Sequence, residues 1–291
     1  MARLRVLRPA PGILAFYEGR EQGHRFAPGP NWVDEGALSL GIASYAILDG
    51  EEALVYDTHV SVERGRLIRE AVEAEGARRI VVVLSHWHLD HVAGTEAFGD
   101  CEVIATARTA ELLAANREAI EAGELEGPPA IAPLLGPTRT FEGSLTLTVG
   151  RTAVRLIHVD VHSDDAAVAW LPDRRLLLAG DTVEDTATYV DEPESLPLHL
   201  RDLDRLLALG SERVLPNHGD AETIAGGGYG AGLIGATQDY IRLLLRSREE
   251  PALREAPLRD LLREHLDSGD LRYFEPYEQV HRHNLAAVLG R

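Results

Sequence analysis

The sequence contains no lysine: all 29 of its basic residues are arginines. Schiff-base chemistry, a phosphate-loop lysine and a Ser-x-x-Lys acyl-enzyme are therefore excluded. A single cysteine, Cys101, rules out an intrachain disulfide and any zinc site made of several thiolates. No apolar run approaches the ~20 residues that a membrane-spanning helix needs. Arg3, Arg5 and Arg8 give the N-terminus the charge of a targeting segment. Pro9 and Pro11 interrupt it, however, and Ile13 to Tyr17 is too short for the apolar core of a signal peptide. The expectation is a mature, cytoplasmic protein with no membrane partner. Positive charge is also outweighed, because 29 basic against 47 acidic residues leave a formal charge of −18. That field repels a phosphate backbone, so a nucleic-acid partner is not expected and a small-molecule substrate is.

What is present suits a globular protein with a sizeable core: 291 residues, 45% hydrophobic and 26% charged. Ser44 to Leu48 and Ala53 to Tyr56 read as strands around the turn Asp49-Gly50. Residues 61 to 75 read as a helix with Leu67, Ile68, Ala71 and Val72 on one face and Gly76 at its end. The run Ile80-Val81-Val82-Val83-Leu84 suggests a strand buried on both faces. A helix near 107 to 122 precedes the break Gly127-Pro128-Pro129. In the second half, Leu145 to Val149, Ala153 to Val161, Ala166 to Leu171 and Leu176 to Ala179 are strand-like. A helix near 200 to 209 and a strand from Arg213 to Leu215 follow, and after Gly226-Gly227-Gly228 residues 233 to 247 and 251 to 267 look helical. An α/β layered architecture follows, with a catalytic domain over 1–225 and a helical C-terminal extension over 226–291 packed on it.

The segment Ser85-His86-Trp87-His88-Leu89-Asp90-His91 directly follows the buried strand. Three imidazoles and a carboxylate within six positions are hard to explain as packing, since each would need a polar partner if buried. Strand ends are where α/β sites are built, and imidazole nitrogen and carboxylate oxygen both suit zinc. Side-chain alternation lets His86 and His88 project together while Asp90 and His91 face a second point.

The pattern His86-x-His88-x-Asp90-His91 resembles the signature of the metallo-β-lactamase superfamily, which includes glyoxalase II-type thioesterases and lactonases. His162, Gly180-Asp181 and Pro216-Asn217-His218-Gly219 follow where that family places its third histidine, its bridging aspartate and its Pro-Gly-His-Gly. Asp57-Thr58 resembles the family's early Asp-Thr-Gly, with His59 in place of glycine. The resemblance spans roughly residues 40 to 220 and implies a four-layer αββα sandwich. It further implies two zinc ions, with iron or manganese as alternatives. His86, His88 and His162 would hold one, Asp90, His91 and His218 the other, and Asp181 would bridge them. Asp181 in place of a cysteine separates the chain from those true β-lactamases that place a thiolate there.

His158 competes with His162 from the same predicted strand, and the polar turn beside His162 favours the latter. Asp57 is expected to bond a ligand or its loop, whereas Asp164 and Asp165 read as turn and solvent residues. The remaining histidines, His24, His59, His199, His265, His281 and His283, read as surface or structural, with His281 and His283 candidates for lining a pocket. Tyr189, Tyr229 and Trp32 are candidate substrate contacts, Trp32 and Phe26 lying in a Gly/Pro-rich loop able to form an apolar flap. The implied activity is hydrolysis of a lactone, ester or thioester by a metal-bridging hydroxide, with Asp90 as the catalytic proton carrier. A single-iron persulfide dioxygenase-like oxidoreductase and a small-substrate phosphodiesterase are the alternatives.

Overall fold

In the computed structural model, which describes residues 4–190 and 192–290, the arginine-bearing N-terminal segment is the first hairpin of a sheet. Its strands are β1 (Arg5–Ala10) and β2 (Ile13–Glu18). Arg3 lies outside the described residues. The sheet continues through β3 (Ile42–Asp49), β4 (Glu52–Tyr56), β5 (Arg79–Val83), β6 (Glu102–Thr106) and β7 (Arg139–Phe141), in that spatial order. From β4 onward its pairings are parallel, and the central strands are covered on both faces, which is why β5 reads as a continuous apolar run.

A second sheet contains β8 (Ser144–Val149), β9 (Thr152–His158), β10 (Ala167–Leu171), β11 (Leu176–Gly180) and β12 (Arg213–Pro216), ordered β12-β11-β10-β9-β8. Strand β9 stops at His158 and does not run on to Val161, so strand parity does not govern His162. That residue sits in a loop with φ of 70°, and there the chain changes direction.

Among the described residues, five longer helices complete the layers: α1 (Val62–Ala74), α2 (Ala107–Ala122), α3 (Leu196–Ala208), α4 (Gly232–Arg246) and α5 (Tyr277–Leu289). The Ser61 hydroxyl accepts from the Arg64 amide and starts α1, while left-handed Gly123 ends α2. Ile68 and Val72 of α1 and Leu113 and Ile120 of α2 pack with the outward residues of the first sheet, such as Val55 and Val82. Leu203 of α3, Ile241 of α4 and Tyr277 of α5 share a core with Leu54, Leu156 and Leu178, which lie on the facing sides of the two sheets and on the second sheet's far side. The order of layers is therefore helix, sheet, sheet, helix, and residues beyond 226 belong to the second sheet's core. The predicted helix over 251 to 267 is three short helices, Pro251–Glu255, Leu258–Leu261 and Arg263–Ser268, because Pro257 cannot donate to a continuous ladder. Among the described residues no helix is long and apolar enough to cross a membrane.

The two sheets are tied at one end. The Tyr56 hydroxyl donates to the Ala167 carbonyl at 2.6 Å, and the Ala167 amide donates to the Ser85 carbonyl at 2.7 Å. The Ala43 amide donates to Asn217 at 2.8 Å, and the Tyr17 hydroxyl to the Gly219 carbonyl at 3.1 Å. With the Asn217 amide donating to the Gly180 carbonyl at 3.0 Å, these bonds fix the carboxyl ends of β4, β5, β11 and β12 relative to one another. Cys101, directly before β6, lies at the opposite end.

Gly65 of α1 and Gly94, which follows the short helix Leu89–Val92, bring two backbones into contact there. A Cβ on Gly94 would collide with the Thr58 carbonyl oxygen. Gly94→Ala is therefore expected to destabilise the fold by about 1–3 kcal/mol and displace the segment that carries His91. Denaturant unfolding compared with Gly99→Ala, whose Cβ would meet the tip of Leu135 at 3.2 Å and the Glu96 carbonyl oxygen at an ordinary 3.4 Å, measures the effect.

Candidate metal centre

Each chemistry-bearing side chain emerges where a strand has just ended. His86 and His88 follow β5, Asp90 and His91 occupy the short helix after it, Asp181 follows β11 and His218 follows β12. His162 arrives from the β9–β10 loop. Gly180, with φ of 58°, makes the turn that delivers Asp181, and a Cβ there would press on the Tyr56 hydroxyl at 3.0 Å and the Ser85 Cβ at 3.2 Å. Asp57, His59 and His162 hold left-handed backbones of 67°, 69° and 70°. Such strain in non-glycine residues collects at functional sites. The left-handed turn at His59 is also the physical reason a glycine suits that position in the Asp-Thr-Gly pattern.

The seven predicted ligands converge as three overlapping groups whose donor atoms all lie within 4.8 Å of one another: His86, His88 and His162; His86, His91 and Asp181; Asp90, His91 and His218. Asp181 links them. Its Oδ2 lies 3.1 Å from His91 Nε2, 3.3 Å from His218 Nε2, 3.7 Å from His162 Nε2 and 3.8 Å from His86 Nε2. Asp90 lies 3.4 Å from His91 Nε2 and 3.3 Å from His218 Nε2.

The outward ring nitrogens are held by the fold. His218 Nδ1 faces the Gly41 carbonyl at 2.8 Å, and because a carbonyl only accepts, Nδ1 carries a proton, which turns Nε2 toward the cluster. His91 Nδ1 lies 3.0 Å from Asp57 Oδ2, and His86 Nδ1 lies 2.9 Å from Ser85 Oγ. Asp57 also accepts from the Ser85 amide at 2.6 Å and from the Asn217 side chain, so one carboxylate ties together two of the ligand-bearing loops. Asn217, standing where the family motif has glycine, thus supports the His91 ring.

The donor set fits a cation. His86 Nε2 and Asp181 Oδ1 are buried without a hydrogen-bond partner. Buried polar atoms left in this state are costly unless something positive lies between them. Burial holds His86 well below its ordinary pKa and takes His162 down to about 3, which keeps both neutral, the form that ligates. Burial by itself would raise the Asp181 and Asp90 carboxyls, but neighbouring His91 and His218 outweigh it and hold both below the usual range.

A cavity of about 860 Å³ opens onto this cluster. Trp32 and Tyr189 line it with His88, Asp90, His162, Asp181 and His218. Tyr229 does not: its hydroxyl donates to Asp185 at 2.6 Å and accepts from the Asp220 amide at 2.7 Å, which makes it a strut. His283 lines the cavity and stacks on Tyr189 at 4.6 Å, while His281 turns away to the Tyr240 hydroxyl. Phe26 is covered by the Arg64 guanidinium and takes no part in the cavity wall. His158 bonds the Asp164 carbonyl at 2.8 Å, outside the cluster. Asp164 pairs with Arg108 as a surface residue does, but Asp165 is fully buried and accepts from the Ser163 hydroxyl, so it is not a solvent residue. His59 is likewise buried, and that burial takes its pKa down to about 4.

Glu184 escaped the sequence reading. It is buried, lies 3.8 Å from His162 Nδ1, and accepts from the Tyr189 amide at 2.9 Å and the Tyr277 hydroxyl at 3.0 Å. Burial pushes its carboxyl up to about 7. The signal was its place three residues beyond Asp181 in a run of carboxylates, which looks no different from a solvated loop.

An αββα sandwich with paired histidine–carboxylate groups at the joined strand ends defines a metal-dependent, hydrolase-type centre. A sequence model described as the Metallo-beta-lactamase superfamily matches residues 39–218, well over half of the chain, and the protein belongs to that superfamily. It is 25% identical over 211 residues to the linear primary-alkylsulfatase of Pseudomonas sp. (strain ATCC 19151), covering 58% of this chain and 40% of that one. It is 24% identical over 164 residues to the beta-lactamase-like protein 2 homolog of Drosophila melanogaster, covering 52% and 48%. The matched regions thus amount to less than half the length of these relatives. Among solved structures it is similar to VMB-1 (TM-score 0.61, 18% identity, 82% of this chain and 96% of that one). It is also similar to the metallo-beta-lactamase from Pontibacter korlensis (TM-score 0.58, 19% identity, 80% and 99%). At these identities the likeness concerns the fold.

Removing the Asp57 carboxylate leaves the Ser85 amide and the His91 ring without their shared acceptor. Asp57→Ala is expected to lower metal affinity by about 10–100-fold, as loss of an outer partner of a metal-binding histidine does. Competition with a chromophoric chelator, alongside a melting curve to separate affinity from stability, checks this.

Proposed function

We propose that the protein is a dinuclear zinc hydrolase that cleaves an acyl bond, in a lactone, ester or thioester, of a small molecule. The observation that carries this reading is the single oxygen of Asp181 facing ring nitrogens from both groups, His86 and His162 on one side and His91 and His218 on the other. A shared carboxylate between two donor sets is the geometry of paired cations, and nitrogen and carboxylate donors without thiolate suit zinc. A single-iron oxidoreductase would leave the group of Asp90, His91 and His218 without a role.

Bound as a pair, such cations supply a nucleophile from water near neutral pH and a Lewis-acid contact for a carbonyl oxygen. The chain provides the rest. Asp90 lines the cavity, and its carboxylate is kept ionised by His91 and His218 against the effect of burial. In this reading it would accept a proton from the attacking water and pass it to the leaving group. Trp32, whose indole donates to the Pro129 carbonyl at 3.0 Å, and Tyr189, stacked on His283, give the acyl portion rigid apolar walls. Similarity to an alkylsulfatase supports sulfate-ester cleavage as the second reading.

The test is a metal-reconstituted screen against lactones, esters, thioesters, β-lactams, phosphodiesters, alkyl sulfates and a persulfide with oxygen uptake recorded. Acyl substrates are expected to be turned over with two equivalents of zinc, and preference for any other class would sink the proposal. Asp181→Ala is expected to keep its circular dichroism, bind less than one equivalent of metal and lose at least about 100-fold in kcat/KM, because both cations lose a donor.

A further inference from the structure

The imidazoles of the cluster differ in what stands behind them. At their outward nitrogens His91 has the Asp57 carboxylate at 3.0 Å, His86 the Ser85 hydroxyl at 2.9 Å and His218 the Gly41 carbonyl at 2.8 Å. His162 has no such bond: its Nδ1 is buried without a partner, while its Nε2 faces the cluster, 3.7 Å from Asp181 Oδ2. Toward that bare nitrogen lies Glu184, with Oε1 3.8 Å away, which is a charge contact and longer than a hydrogen bond.

Glu184 is itself fixed in place. Its two oxygens accept separately, Oε1 from the Tyr189 amide and Oε2 from the Tyr277 hydroxyl. Tyr277 opens α5, a helix beyond the residues 39–218 that carry the family match. The rest of the segment after Asp181 is bonded to the same region. The Arg272 amide donates to Asp185 at 2.7 Å, and the Thr186 hydroxyl donates to the Arg272 carbonyl at 2.7 Å and accepts from the Phe274 amide at 2.9 Å. Asn284 of α5 donates to the Thr188 carbonyl at 2.8 Å and accepts from the Val190 amide at 2.9 Å. Both donors to Glu184 are uncharged, so they orient the carboxylate without neutralising it. A pair of zinc ions would outweigh the negative charge of Asp90 and Asp181, which makes a further carboxylate behind a ligand favourable.

We propose that Glu184 is a positioning residue for the metal group of His86, His88 and His162: it holds the His162 ring with a protonated Nδ1 outward and Nε2 toward the cation, and α5 keeps Glu184 there through Tyr277. The inference rests on the metal-binding part of the reading above and is independent of the substrate class. A carboxylate behind a ligating imidazole fixes its tautomer and orientation and raises its basicity. Asp57 stands in that relation to His91, and Glu184 takes the same part for His162.

The experiment uses the full chain, stripped of metal and titrated with zinc against a chromophoric chelator and, separately, with cobalt(II) followed by its visible spectrum. The unaltered protein is compared with Glu184→Gln and Tyr277→Phe. Glutamine keeps an acceptor for the Tyr189 amide and a polar partner for the Tyr277 hydroxyl, so the melting temperature of the metal-free variant is expected to hold. One zinc-binding step is expected to weaken about tenfold in Glu184→Gln while the other stays within about twofold, and the cobalt spectrum of the weakened step shifts. Tyr277→Phe, which leaves the carboxylate but frees it, is expected to weaken the same step by less, and it carries the test if the glutamine variant does not fold. Unchanged zinc affinities and cobalt spectra, or equal loss in both steps, overturn the inference and leave the metal centre standing. Failure of the unaltered protein to bind metal overturns both together.

Discussion

A buried carboxylate cannot sit among four imidazole nitrogens without a source of positive charge, and Asp181 is in that position. The demand is met in the bare chain by pushing His91 and His218 toward their protonated forms, against the burial that would keep them neutral. A cation would meet it too, and would in addition give the unpartnered His86 Nε2 and Asp181 Oδ1 something to bind. The architecture follows from this requirement. Donors from four separate segments must meet within a few ångströms, so the strand ends that launch them are bonded across the two sheets through Tyr56, Ser85 and Ala167.

The rigidity has a local cost that is visible in the backbone. Asp57, His59 and His162 occupy left-handed conformations that side chains disfavour, and each lies in or beside the cluster. The Asp57 carboxylate compensates by collecting the Ser85 amide, the His91 ring and the Asn217 side chain on two oxygens. One residue thereby couples the first strand-end loop to the last.

Much of this was legible in the sequence because metal ligation constrains residue type and order so tightly. His86, His88, Asp90 and His91 are close in the chain, and His162, Asp181 and His218 each follow an apolar strand, so pattern and place agree. The fold's central strands were readable for the same reason, being apolar on both faces. What escaped had weaker local signals. The hairpin β1–β2 starts with exposed arginines and was not read as strands; β6 and β7 are short; α5 begins amid prolines and charges. Tyr229 could not be told from Tyr189 by sequence, since only the neighbouring Asp185 and Asp220 decide that one is a strut and the other a wall. Glu184 and Asp165 looked like solvated carboxylates because burial of a charged side chain depends on partners distant in the chain.

The donor set is free of sulfur. Relatives that ligate a metal through a thiolate carry an oxidisable atom at the heart of their chemistry, whereas here nitrogen and oxygen alone do that work. The chain's one sulfhydryl, Cys101, lies at the far end of the strands from the cluster. Peroxide and disulfide exchange therefore find no sulfur among the candidate ligands.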